Sequence, residues 1–166
     1  MRNLKQQLSS KLQSAKKIAV LGVGSEFKAD DSAGLRAAGC IQARLPNHPK
    51  IKVIIGGTAP ENCTGEIREF APSHLIVIDA ANEGDKPGAL QLLDPKEAGG
   101  FSCCTHMLPL AIMFEYLSKS LPIEIIVIGI TPKEVEMGQK ISRPVREAAN
   151  RVGKTIVEIV NELLPS

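Results

Sequence analysis

Asp30 and Asp31 sit in "LGVGSEFKADDSAG" (Leu21 to Gly34), directly after an apolar run; Asp79 ends "LIVIDA", and His106 stands in "CCTHMLPL". Carboxylates and an imidazole together make a partial shell for a metal ion, because their oxygen and nitrogen atoms are common metal donors. Singly, each residue has an ordinary structural use. An aspartate at a helix N-terminus caps free N–H groups, one at the end of a strand opens a turn, and a lone histidine before a helix is usually a satisfied polar group. The set says more than its members, since each comes from a different strand-to-helix connection and the fold can bring them to one cleft.

Other chemistries fit less well. "GVGSEF" supplies Gly22 and Gly24 of a dinucleotide turn, but Phe27 stands where a third glycine belongs, and no lysine follows in Walker spacing. Glu26, Asp30 and Asp31 would repel a pyrophosphate, so the glycines are expected to serve a tight turn and a close backbone approach. There is no G-x-S-x-G elbow and no H-E-x-x-H pair. A Cys103 or Cys104 nucleophile with His106 as base would need side chains too close in sequence to align well. The cysteines, Cys40, Cys63, Cys103 and Cys104, form no C-x-x-C and are expected to be free thiols.

The elements that must position these groups follow from hydrophobic periodicity. "KIAVLGVG" (Lys17 to Gly24), "KIKVIIGG" (Lys50 to Gly57), "SHLIVIDAA" (Ser73 to Ala81) and "IEIIVIGI" (Ile123 to Ile130) are strand patterns, several apolar on both faces. Helices are expected from Asp31 to about Arg44, from about Pro60 to Phe70, from about Met107 to Ser120, and at the C-terminus after a Ser142 cap with Pro144 in the first turn. Strands alternating with helices give an α/β fold: a twisted, mostly parallel five-stranded sheet with helices on both faces. "GALQLLD" (Gly88 to Asp94) follows its predecessor too closely for a parallel crossover, so it is expected to be an antiparallel edge strand. No repeat or linker divides the chain, so one domain over residues 1–166 is expected, with residues 1–16 as an N-terminal amphipathic helix carrying Leu4, Leu8, Leu12 and Ala15 on one stripe.

Composition narrows the partners. The net charge of +2 and the aromatic content of 3%, without Trp, offer neither a polyanion-binding surface nor stacking platforms for nucleic acid. No apolar stretch approaches the roughly 20 residues of a membrane span, and the basic start lacks the apolar core of a secretory signal. A cytoplasmic, monomeric protein is the expectation.

Four segments in order, "GVGSEFKADDSAG", "GGTAPEN" (Gly56 to Asn62), "LIVIDAANEGDKPG" (Leu75 to Gly88) and "THMLPL" (Thr105 to Leu110), resemble the hydrogenase maturation endopeptidases, in particular the branch acting on hydrogenase 3-type large subunits. The resemblance runs from about Ile18 to Ile130 and more weakly through the last helix. It implies removal of a C-terminal extension from the precursor of a nickel–iron hydrogenase large subunit after nickel insertion. It also places the metal-contacting and catalytic roles on Asp31, Asp79 and His106. The divalent ion would be nickel carried by the substrate, with zinc or cadmium able to substitute in vitro. Ser25 departs from the family's usual Asn, and Cys103 and Cys104 are unexpected just before the histidine. The alternative is a non-catalytic metal- or nucleotide-binding module on the same scaffold.

Overall fold

The computed structural model describes residues 3–81, 86–96 and 107–166. Its strands are β1 (Ile18–Val23), β2 (Ile51–Gly57), β3 (His74–Ala80), β4 (Leu90–Leu93) and β5 (Glu124–Ile130); its helices are α1 (Leu4–Leu12), α2 (Ala33–Arg44), α3 (Thr64–Phe70), α4 (Met107–Ser120) and α5 (Arg143–Leu163). The five strands form one sheet in the order β2-β1-β3-β5-β4. β1 pairs in parallel with β2 and β3, and β3 in parallel with β5. β4 runs antiparallel along β5, with Leu90 opposite Ile130. The antiparallel edge expected from the short loop before β4 is therefore present.

The central strands are buried along their length because alternate side chains feed two separate cores. Ile18 and Val20 of β1, Ile76 and Ile78 of β3, and Ile126, Ile128 and Ile130 of β5 pack with α1, α2 and α5. The intervening Ala19, Leu21, Leu75, Val77 and Val127 pack on the other side with Ile67 of α3 and Leu110, Met113, Phe114 and Leu117 of α4. Each fully buried Leu or Ile contributes roughly 1.5–3 kcal/mol of transfer free energy, so the sheet carries both layers.

The N-terminal stripe docks as its spacing predicts: Leu8 and Leu12 are fully buried and α1 lies on α5. Lys5 Nζ reaches Glu158 at 3.0 Å and Glu162 at 2.8 Å on α5, and these hydrogen-bonded carboxylates, Glu162 foremost, raise the lysine's pKa. The helix is shorter than its pattern, however, ending at Leu12 before Ala15.

Two helices begin later than periodicity suggests. A short 3-10 turn over Ala29–Ser32 precedes α2, and another over Pro60–Cys63 precedes α3. The tighter turns lie where the chain leaves the carboxyl ends of β1 and β2 and must reverse over the sheet within a few residues.

Candidate metal centre

After β1 the next strand in sequence lies on one side of it and β3 on the other, so the gap beyond the carboxyl ends of β1 and β3 is the sheet's topological switch point, where open α/β sheets bind ligands. Both sequence-predicted aspartates that lie within the described residues belong to these two strands or the turn that follows.

The turn after β1 is fixed by backbone geometry. Gly24 adopts φ +139°, and a Cβ there would collide with the carbonyl of Asp31. Only glycine allows the returning chain so close, which is the tight approach expected of it. The Gly24 N–H donates to Gly57 O at 2.9 Å, tying the turn to β2. Ser25 N–H then donates to Asp31 Oδ2 at 2.9 Å and Asp31 N–H to Lys28 O at 2.8 Å, closing the loop on itself. Ala29 is held at φ 33°, a conformation that costs a non-glycine residue about 1 kcal/mol or more.

The neighbouring carboxylates have different environments. Asp31 is partly exposed, and its Oδ2 accepts the hydrogen bond from Ser25 N–H. Asp30 is fully buried. Its Oδ2 accepts from Lys133 N and Glu134 N, both at 2.8 Å, and from Ser142 Oγ at 2.9 Å, while Oδ1 accepts from Ser142 N at 2.6 Å. Neither aspartate is a helix cap, since Lys28 occupies the cap position of the 3-10 turn. Ser142 does precede α5, with proline in the first turn, but its side chain makes no capping hydrogen bond. The hydroxyl serves Asp30 instead, because a buried carboxylate needs donors more than an exposed helix end does. This use of Asp30 was not read from the sequence; an adjacent acidic pair gives no sign of which member is buried.

Asp79 is the penultimate residue of β3 and 1% exposed. Its Oδ1 accepts from Ala80 N at 2.8 Å. Strand alternation puts it on the same face as Leu75 and Val77, the face covered by α4. The 3-10 turn carrying Asp31 packs against β3. The two aspartates thus belong to adjoining elements at one edge. His106, together with Cys103 and Cys104, lies outside the described residues; α4 begins at the next position, Met107.

Among the described residues no group of three His, Cys, Asp or Glu side chains is placed to hold an ion. Asp31 and Asp79 supply carboxylate oxygens, donors that suit a divalent cation, and His106 is the third member the sequence names. Cys63, following β2 at the same edge, is a free thiol whose pKa is raised by burial and then by Glu66 and Glu61. It is therefore protonated and a poor ligand near neutral pH.

The chain is similar to proteins of known family. The family model described as hydrogenase maturation protease (HycI) matches residues 35–159. The hydrogenase 3 maturation protease of Escherichia coli K12 is 36% identical over 135 residues, covering 80% of this chain and 84% of the relative. The crystal structure of the NiFe hydrogenase maturation protease HycI from Thermococcus kodakarensis KOD1 superposes with a TM-score of 0.86 at 27% identity, over 93% of this chain and 99% of that one. The solution structure of the endopeptidase HycI from Escherichia coli gives a TM-score of 0.76 at 30% identity, over 86% and 90% of the two chains.

Proposed function

This chain belongs to the hydrogenase maturation protease family, and we propose that it is the endopeptidase that removes the C-terminal extension of a nickel-loaded NiFe hydrogenase large-subunit precursor. The single observation that carries the reading is the juxtaposition of the Asp31 turn and Asp79 at the β1–β3 switch point of a fold shared with such peptidases.

The roles divide by environment. Asp31 is held in place by Ser25 N–H and is partly exposed, so it can meet the ion and the scissile segment together. Asp79 is buried, and its Ala80 N–H bond fixes the carboxylate's orientation. His106 would add the nitrogen donor. These three groups would hold a divalent ion, which polarises a carbonyl and activates water when bound. The nickel arrives with the precursor, and zinc or cadmium would occupy the same donors in vitro. A shell of one imidazole and two carboxylates from separate connections is weaker than the usual zinc site built on two or three His or Cys donors, so the substrate's own metal completes it. Cleavage would then report that metal insertion is finished.

No helix among the described residues is long and apolar enough to cross a membrane. We place the reaction in the cytoplasm, with the enzyme acting as a monomer on the precursor's C-terminal region.

Incubation with purified precursor tests the reading by mass spectrometry. The nickel-loaded precursor should lose a mass equal to its C-terminal extension, whereas the nickel-free precursor should not. Unchanged mass of the loaded precursor would overturn the assignment; cleavage of both forms would overturn the role of the substrate's nickel.

A further inference from the structure

Residues 131–142, between β5 and α5, contain no helix or strand, yet they are tied to the Asp31 turn at several points. Asp30 accepts from Lys133 N, Glu134 N and Ser142 N through its side chain, and its own N–H donates to Glu134 O at 2.9 Å. Farther along, Gly138 N–H donates to Phe27 O at 3.0 Å. The result is a rim in which apolar side chains point to solvent: Phe27 is 68% exposed, Val135 54% and Met137 73%. Phe27 and Met137 line a shared depression of about 550 Å³ with Glu26, Gly138 and Gln139.

Large apolar side chains held outward by a built network are a mark of an interaction surface. Their distribution matters here. Phe27, Val135 and Met137 follow the carboxyl ends of strands, and Ile55 lies near the carboxyl end of β2; these are four of the six exposed large hydrophobic residues among the described ones, the others being Ile112 and Tyr116 on α4. Phe27 also lies in the same turn as Asp31, four positions away, so the two are at most about 13 Å apart along the chain. A protein substrate that delivers a bond to Asp31 therefore comes within about 13 Å of Phe27.

We propose that Phe27, Val135 and Met137 form a docking rim for the body of the hydrogenase large-subunit precursor, outside the metal-contacting residues, with Asp30 as the positioning residue that holds the rim beside Asp31. The proposal rests on the substrate assignment above. The rim contributes binding rather than chemistry, so its loss should appear in KM and not in kcat.

The test uses full-length enzyme and nickel-loaded precursor, with Phe27→Ser, Met137→Ser and the double variant. All substituted side chains are exposed, so the circular-dichroism spectra should match that of the parent; the single variants decide the matter if the double variant fails to fold. The expected result is a KM raised roughly tenfold in the double variant, as for loss of interface anchors, with kcat within about twofold. Affinity of the cleavage-deficient Asp31→Ala protein for the precursor should fall in parallel when the rim substitutions are added. Parental KM in the rim variants, while the parent cleaves normally, would overturn the rim and leave the peptidase reading standing. Failure of the parent itself to cleave would remove both. A dimer of the parent that the rim substitutions convert to monomer would assign the surface to a second copy of the chain and overturn the proposal.

Discussion

At the amino ends of β3 and β5, Ser73, His74 and Glu124 sit in the order of a catalytic triad, whereas at the carboxyl ends of β1 and β3 the acidic residues look at first like helix caps. The hydrogen bonds reverse both impressions. Ser73 Oγ lies 3.0 Å from His74 Nδ1, and His74 Nε2 lies 3.4 Å from Glu124 Oε2. Yet the hydroxyl donates to Lys17 O at 3.0 Å and accepts from Lys16 N and Lys17 N at 2.9 and 3.3 Å. It is occupied in joining the entrances of β1 and β3, with no proton left to give to the imidazole. The histidine–glutamate approach is within ion-pair range but is not aligned as a hydrogen bond, since His74 Nε2 has no aligned partner among the described residues. A depression of about 790 Å³ opens at this edge, larger than the one beside Phe27. Volume alone would pick the amino end of the sheet. What separates the two ends is what their polar groups are already bonded to.

The contrast is sharpest in activity. Asp31→Ala should lower precursor processing by on the order of 100-fold or more, a magnitude typical of removing a group that stabilises charge in the transition state. The fold should lose only about 1 kcal/mol, the worth of its bond from Ser25. Near-parental processing, measured by mass spectrometry over a time course, would move the chemistry away from this turn.

Asp30→Ala should do the opposite in stability. It strands the backbone N–H groups of Lys133, Glu134 and Ser142 in a part-buried place, at a total cost of about 3 kcal/mol. Thermal denaturation should show a melting temperature lower by roughly 10 °C. A smaller loss than that of Asp31→Ala would mean that the two carboxylates have been assigned the wrong way round.

Ser73→Ala at the amino edge should be the mildest change in activity, while costing about 1–2 kcal/mol of stability through the unpaired Lys16 and Lys17 amides. Precursor processing should be unchanged below the shifted melting temperature. Loss of activity in this variant would make the amino edge the catalytic one and break the comparison.

Much of this organisation is legible in residue order. Burial of β1 and β3 on both faces follows from unbroken apolar runs, and the antiparallel course of β4 from the short connection before it. Gly24 announces the close approach that its φ of +139° delivers. The starts of α2 and α3 were read too early because Asp31 and Pro60 are good first-turn residues in either an α-helix or a 3-10 turn; local preference does not distinguish the two when the choice depends on how soon the chain must reverse. Ser142 illustrates the same limit. Serine before a proline-led helix suggests a cap, but the buried carboxylate of Asp30 is 112 positions away in sequence and takes the hydroxyl.

The sequence by itself determined the α/β alternation, the two-sided burial of the central strands and the candidacy of Asp30, Asp31, Asp79 and His106, because periodicity and residue type are local properties; the preference for Asp31 over Asp30 rests on the resemblance to the family. The strand order determined that Asp31 and Asp79 flank a switch point. Which of the adjacent aspartates is buried, and which exposed apolar residues share the edge that carries Asp31, was decided only by tertiary structure. Both depend on the path of residues 131–142, which returns over the β1 turn to offer Asp30 its donors. A hydrogen bond between segments a hundred residues apart has no local signature, since its partners are chosen by the geometry of the closed chain and not by their neighbours in sequence.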